Sequence, residues 1–323
     1  MPFLYHPTTI LLVDDNAEFL KTLKIFLNDS FKYLLDKECS FQALEILNKT
    51  SFKKNFYEDC LYYPEEEKYE NHSLSINFLN IHKEIFNPDR FMEISTVVVD
   101  YSMPAMNGVE FCQRIANPFV KKILLTGDAD EKIAVNAFNQ GLIDAYIKKQ
   151  QIDFPEILEK LLEKFQKTYF SHFSKQIEAV FSPEDQENAP FFSPKFKKYF
   201  QQICENKRIE EYYILEKMGS ILCLDVNGNY GILATFAMDE IATILESQEA
   251  ESADPLVIEC LKNKTHLLCY KQNENTTLPP GFLWKNYMFK AESLVTEQKT
   301  FLCSFVQGMF NFNKKDFLSY DQR

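Results

Sequence analysis
The sequence predicts an α/β chain: a doubly wound parallel sheet first, then a smaller α+β domain. Two observations carry the first half of that reading. Thr96-Val97-Val98-Val99 is an apolar, β-branched run of the kind buried on both faces of a parallel sheet, and it ends abruptly in Asp100. Three other short apolar runs end the same way, each in a polar pair. Open α/β sheets place their chemistry beyond the C-terminal ends of the strands, so polar residues delivered there meet in one crevice.

Taken in order, Ile10-Leu11-Leu12-Val13 ends in Asp14-Asp15, and the valine run ends in Asp100. Ile123-Leu124-Leu125 ends in Thr126-Gly127, and Ala145-Tyr146-Ile147 ends in Lys148-Lys149. After Asp100 the chain turns through Tyr101-Ser102-Met103-Pro104-Ala105-Met106-Asn107-Gly108. Pro104 fixes φ in that turn, and Gly108 permits an unusual backbone angle ahead of the next helix. A strand ending in a capping Asp, or one pair of adjacent acids, is ordinary by itself. Four matched strand ends in this order are hard to reach by chance.

The Asp100 string resembles the phospho-acceptor loop of two-component response-regulator receiver domains, in which the aspartate is followed by Met-Pro and, four residues later, Gly. The resemblance implies a five-stranded, flavodoxin-like receiver over residues 1–151. In it Asp100 would accept a phosphoryl group from a sensor histidine kinase or a phosphotransfer protein. It also implies a Mg²⁺ site, with Asp15, Asp100 and the backbone carbonyl of Ser102 as direct ligands and Asp14 acting through water. Such an ion keeps several waters, so a few carboxylates suffice to hold it. Thr126 would bond one phosphate oxygen and a lysine would neutralise another, while Gly127 leaves the access route open. Thr126 and Tyr146 would form the switch. Strand register counted from Tyr146 points to Lys149 as the lysine; counting from Gly141 points to Lys148. The family's usual proline after the lysine is Gln150 here, which puts its common cis peptide in question.

At 323 residues the chain has room for about two domains. A net charge of −12 with 46% apolar residues describes a soluble globular protein. No apolar run approaches the ~18 residues of a membrane span, and no signal-peptide core precedes the first strand. A cytoplasmic location without membrane contact is expected. Eight cysteines without Cys-x-x-Cys spacing and five scattered histidines fit reduced thiols, with neither disulfides nor a zinc site.

Between a second helix ending near Asn48 and the strand starting near Ile94 lies an insertion, about residues 49–94, too long for an unstructured loop in a compact domain. Ile76 to Phe86 has apolar residues at near-helical spacing, which predicts a partly helical segment packed outside the receiver. The acidic stretch Glu58 to Glu67 reads as solvated surface, or as a docking site for a kinase or partner. Residues 152–190 form a helical connector and linker. Phe154, Leu158, Leu162, Phe165, Tyr169, Phe170 and Ile177 share one helical stripe, which must bury against a second domain or a partner subunit. Ser182 to Pro190 reads as a polar linker bounded by prolines.

Residues 191–323 form the smaller α+β output domain, loosely like a PAS or GAF module. Strands are expected near Glu211–Leu215, Ile221–Asp225 and Tyr230–Phe236, with a hairpin at Asn227-Gly228. A helix from Met238 to about Gln248 and another from Pro255 to Asn263 follow, and Leu267–Tyr270 and Thr300–Phe305 complete the sheet. Asp225, Asp239 and Glu240 read as turn and cap residues, and His266 as a strand residue. From Pro190 to Arg323 there are 15 Lys and Arg against 17 Asp and Glu, so the basic surface of a DNA-binding output domain is missing. Neither a helix-turn-helix pattern nor the motifs of cyclic-dinucleotide enzymes occur. The expected protein is therefore a phospho-accepting signalling switch that binds a protein, a small ligand or a second copy of itself, with homodimerisation on phosphorylation. The alternatives are an atypical DNA-binding regulator, whose basic surface forms only in a dimer, and an enzyme with an unfamiliar C-terminal site. Ala134 to Gly141, Tyr146-Ile147-Lys148-Lys149 and Glu211-Tyr212-Tyr213 together resemble Lqs-type quorum-sensing response regulators, which implies a role in cell-density signalling.

Overall fold
The computed structural model describes residues 1–49, 56–62, 75–127, 130–239, 241, 255–269 and 284–307. The first part comprises β1 (Leu4–Tyr5), β2 (Thr9–Val13), α1 (Ala17–Leu27), β3 (Leu34–Lys37), α2 (Ser40–Lys49), α3 (Phe56–Asp59), β4 (Leu61–Tyr62) and β5 (Ser75–Ile76). It continues with α4 (Phe78–His82), β6 (Ile94–Asp100), α5 (Gly108–Gln113), β7 (Lys121–Thr126), α6 (Glu131–Asn139), β8 (Ala145–Lys148) and α7 (Phe154–Glu178). The second part comprises α8 (Pro183–Asn188), α9 (Pro194–Lys207), β9 (Ile209–Ile214), β10 (Ile221–Asp225), β11 (Tyr230–Ala237) and α10 (Pro255–Lys262). The short strands β12 (His266–Leu268), β13 (Met288–Lys290) and β14 (Glu292–Val295) precede β15 (Thr300–Gln307).

Five strands form a parallel sheet in the order β3-β2-β6-β7-β8. All residues of β2 and β6 are buried, as their unbroken apolar runs require. Because side chains alternate along a strand, the runs supply two cores. Leu11, Val13, Val97, Val99 and Leu124 meet α2, α5 and α6 on one face. Ile10, Leu12, Val98, Ile123, Leu125 and Ile147 meet α1 and the first half of α7 on the other. Asn16 and Asn107 cap α1 and α5, each side chain accepting from two amides of the first turn.

The second sheet is antiparallel, in the order β1-β9-β10-β11-β15-β14. Its edge strand β1 comes from the N-terminus: Leu4 pairs with Tyr213 and Tyr5 with Tyr212. Residues expected to open the receiver therefore belong to the second sheet, and the chain crosses into the first at Thr9. The Asn227-Gly228 turn forms as expected, with Gly228 at φ 71° and the Asp225 carboxylate accepting from the amides of Asn227 and Asn229. β15 joins this sheet as expected, and one strand assignment changes. β12 leaves the six-stranded sheet and pairs with β13, whose sequence gave no clear strand signal, while β15 takes the place between β11 and β14. The expected helix after Met238 lies mostly outside the described residues.

Helix α7 joins the two halves. Its 25 residues span about 37 Å at 1.5 Å per residue. Phe154, Leu158, Leu162 and Phe165 pack on the parallel sheet, whereas Tyr169, Phe170 and Ile177 enter the core of the antiparallel one. The apolar stripe is thus consumed within the chain. Ser182 to Pro190 is no loose linker either: Ser182 caps α8, and Pro190 is buried beside Gly219.

The insertion is folded where it is described, and it does not lie on the outside of the receiver. Its helical stretch is α4 followed by a 3-10 turn over Lys83–Phe86, and Ile81 and Ile85 are buried in the core that contains β9. Residues 63–74, with the acids Glu65 to Glu67, lie outside the described residues. Arg90, at its C-terminal end, reaches into that core and forms two bonds with Glu211 of β9, at 2.9 and 3.1 Å. The Tyr213 hydroxyl donates to the same carboxylate at 3.0 Å, and Phe91 lies against the guanidinium. Burial pushes the Glu211 carboxyl above its ordinary value, against the pull of Arg90.

Candidate functional site
The four strand ends converge as the sequence expects. Asp14 and Asp15 follow β2, Asp100 ends β6, Thr126 ends β7, and Lys149 follows β8. The carboxylate oxygens of Asp14, Asp15 and Asp100 all lie within 4.8 Å of one another. Asp14 and Asp100 are buried while Asp15 is exposed, so the cluster opens to solvent on one side. The Lys149 ammonium bridges the two buried acids, 2.6 Å from Asp14 and 2.8 Å from Asp100. The Phe19 ring lies 4.4 Å beneath it.

Which lysine reaches the cluster follows from register. Leu124 pairs with Tyr146 and Thr126 with Lys148, and the Lys149 amide then donates to the Thr126 carbonyl. Lys148 turns to the other side and forms an ion pair with Glu131 of α6 at 2.8 Å. The backbone has no cis peptide bond among the described residues.

Backbone groups aim the acids. The Asn16 amide donates to Asp14 at 2.9 Å, and the Ser102 amide donates to Asp100 at 3.0 Å. Gly108 is required for close approach: a Cβ there collides with the Asp100 carbonyl oxygen and the Leu124 side chain. Gly127 has no such constraint, since a Cβ would meet its nearest neighbour at an ordinary 3.7 Å. Ala105 takes the left-handed conformation in the turn, at φ 65°, while Met103 and Met106 anchor the loop in the core. Asn16, Phe19 and Glu131 were not singled out by the sequence. Asn16 alone had a visible signal, as a cap residue two places after Asp14.

The electrostatics favour a cation. Burial pushes the Asp14 carboxyl above its ordinary value, with the Lys149 hydrogen bond and the Asn16 amide pulling the other way. Burial works to lower Lys149, yet its hydrogen bonds to Asp100 and Asp14 outweigh that and hold the ammonium above its ordinary value. Three carboxylates with a free solvent side form a donor set suited to a hard divalent ion that keeps part of its hydration. Thr126 is fully buried and its hydroxyl has no partner among the described residues, a donor left over beside the cluster. Tyr146 is half-buried, with its ring edge-on to Phe138 at 6.3 Å.

The family model for the response regulator receiver domain matches residues 72–162. The match begins inside the insertion, which separates β2, α1, β3 and α2 from the rest of the receiver pattern. The structure of the Legionella pneumophila response regulator LqsR is 31% identical over 100% of this chain and 94% of that one, with a TM-score of 0.77. An adenylate cyclase from Rhodopirellula baltica (23% identity, 55% of this chain and 99% of that one) has a TM-score of 0.37. A receiver domain protein from Clostridium thermocellum (19%, 54% and 99%) has one of 0.31. A search of curated proteins found no match. With the acidic pocket, the parallel β3-β2-β6-β7-β8 sheet and a relative similar along the full length, the chain belongs to the response regulators, with a receiver domain in its N-terminal half.

Proposed function
We propose that this chain is a phospho-accepting switch in which Asp100 takes a phosphoryl group from a sensor histidine kinase or a phosphotransfer protein. The observation that carries this reading is the Lys149 ammonium bridging Asp14 and Asp100 beside a buried Thr126 hydroxyl that has no partner among the described residues. An Asp100 oxygen attacks the phosphorus of a phosphohistidine, the P–N bond breaks, and the imidazole takes up a proton. An acyl phosphate remains on Asp100. Asp15, Asp100 and the Ser102 carbonyl would hold Mg²⁺, which neutralises charge between the acids and the phosphoryl group when bound. Asp14, tied to Lys149 and the Asn16 amide, would act on the ion through water. Lys149 then stabilises one phosphate oxygen and the Thr126 hydroxyl donates to another.

Phosphorylation adds up to about two negative charges next to Thr126. Movement of that hydroxyl toward the phosphate vacates space for Tyr146, whose ring carries Phe138 with it. Ile133 and Phe138 on α6 and Ile152 before α7 are exposed apolar groups on this face, so a second copy of the chain is its proposed partner. The second half of α7 is excluded as a dimer surface, because its stripe is already buried. Coupling of this kind is worth about 1–3 kcal/mol, so phosphorylation shifts a monomer–dimer equilibrium by about tenfold. The chain acts as a cytoplasmic signalling protein rather than a classical enzyme. The near-neutral second half argues against DNA as its target. Likeness to LqsR, and the strings shared with Lqs-type regulators, support a role in cell-density signalling.

The test is labelling of the full chain by a small-molecule phosphodonor. Mg²⁺-dependent uptake that disappears in Asp100→Asn is expected. Persistent Mg²⁺-dependent labelling of the variant moves the acceptor elsewhere.

A further inference from the structure
The Lys149 ammonium is held from three sides. Asp14 and Asp100 accept from it at 2.6 and 2.8 Å, and the Phe19 ring covers a third side, with the nitrogen 4.4 Å from the ring centroid. A cation is drawn to the negative face of an aromatic ring, and the attraction grows as water is excluded. Lys149 is shielded enough for that, with 23% of its side chain exposed. Phe19 is itself fixed in place. Its amide donates to the Asn16 side chain at 3.1 Å, and the Asn16 amide donates to Asp14 at 2.9 Å. The first turn of α1 therefore ties the ring to one of the acids that Lys149 bridges.

Phe19 has a second aromatic neighbour. The ring of Phe154 lies 6.3 Å from it, centroid to centroid, and tilted by 50°. Phe154 is the first residue of α7 and is buried in the same core as Leu158 and Leu162. From there α7 runs unbroken into the core of the second sheet, where Tyr169, Phe170 and Ile177 are buried. One ring thus touches both the ammonium of the site and the head of the helix that joins the two halves. These contacts lie on the α1 and α7 face of the parallel sheet, whereas Tyr146 packs on the opposite face with α6.

Phosphorylation disturbs the ammonium directly. A phosphoryl group on Asp100 replaces the carboxylate charge facing Lys149 with up to about two negative charges farther out. The ammonium follows that charge and loosens its hold on Asp14. The ring against which it rests must then shift or lose the contact.

We propose that Phe19 is a positioning residue: its ring holds the Lys149 ammonium ready for the incoming phosphate oxygen, and it passes the later displacement of that ammonium to Phe154 and α7. Phosphorylation then reaches the second half of the chain along α7, by a route separate from Thr126 and Tyr146. The inference rests on Asp100 being the phospho-acceptor and adds a path to the output half that this reading does not contain.

The full chain, labelled by a small-molecule phosphodonor with Mg²⁺, tests it through the rate of acyl-phosphate formation in the wild type, Phe19→Leu and Phe19→Tyr. Leucine keeps the apolar bulk without a ring face, whereas tyrosine keeps the face. Phe19→Leu is expected to label about threefold to tenfold more slowly, as loss of a partly shielded cation–ring contact requires, and Phe19→Tyr to stay within about twofold of the wild type. Hydrogen exchange at Leu158 to Leu162, compared between labelled and unlabelled protein, reads the route into α7. A change of at least about threefold is expected in the wild type and in Phe19→Tyr, and none in Phe154→Leu, which should label at the wild-type rate. The proposal is overturned if Phe19→Leu labels as fast as the wild type, if Phe19→Tyr is as slow as Phe19→Leu, or if α7 responds in full in Phe154→Leu. Labelling that survives Asp100→Asn would bring down the acceptor reading itself, whereas labelling confined to Asp100 with an unaffected Phe19→Leu brings down only the role of Phe19.

Discussion
The two sheets solve the problem of buried polar groups in opposite ways. In the parallel sheet the central strands β2 and β6 are buried throughout and carry no charge before their C-terminal ends, so charge is pushed to the strand ends. Asp14, Asp15, Asp100 and Lys149 collect at one edge, open to solvent on the Asp15 side. In the antiparallel sheet charge is buried in mid-strand and neutralised on the spot: Glu211 is matched by Arg90 and Tyr213 with no route to water. The first arrangement leaves reactive groups available, whereas the second uses them up in structure. A buried acid is therefore a functional signal only where its surroundings leave coordination free.

Breaking the buried pair should produce the largest effect. Arg90→Ala strands Glu211 without its partner and should cost about 3–5 kcal/mol in urea unfolding, while replacing both partners by apolar groups of similar volume should cost far less. Equal losses for the single and double replacements would mean that Arg90 matters for its packing and not its charge. Gly108→Ala comes next. Its Cβ would overlap the Asp100 carbonyl and Leu124, which should cost about 1–3 kcal/mol and slow phosphoryl uptake. Unchanged uptake with lowered stability would separate the geometry of the loop from its chemistry.

Smaller effects probe the active edge itself. Thr126→Ala should keep labelling at Asp100 but abolish the roughly tenfold change in dimerisation, a coupling of about 1.4 kcal/mol readable by sedimentation at several concentrations. An unchanged dimerisation constant in the phosphorylated wild type would rule out that route. Lys148→Ala removes the surface pair with Glu131, away from the acids, and should alter stability by less than about 1 kcal/mol, whereas Lys149→Ala should impair signalling strongly. The reverse ranking would contradict the register of β8.

Legibility in the sequence followed the same divide. Parallel strands announce themselves by unbroken runs such as Thr96–Val99 with a polar end, so the sheet and its site could be read from local pattern alone. Lys149 over Lys148 also followed from register, because Tyr146 belongs to the strand and Gly141 does not. What could not be read was long-range pairing. Nothing in Phe3-Leu4-Tyr5 announces that it joins β9, more than 200 residues away in the chain. Arg90 and Glu211 each look like surface charges until the fold brings them together. The stripe on α7 showed that something covers it, but only the tertiary structure tells a second domain from a second subunit.

The central claim is that Asp100 is the phospho-acceptor of the acidic edge. It is tested most directly by trapping the acyl phosphate: label the full chain with a small phosphodonor, reduce with borohydride, and locate the product by peptide mass. The expected result is conversion of residue 100 to homoserine in the presence of Mg²⁺ and not in its absence. Reduction at Asp14, Asp15 or another carboxylate instead, or labelling indifferent to Mg²⁺, would contradict the account.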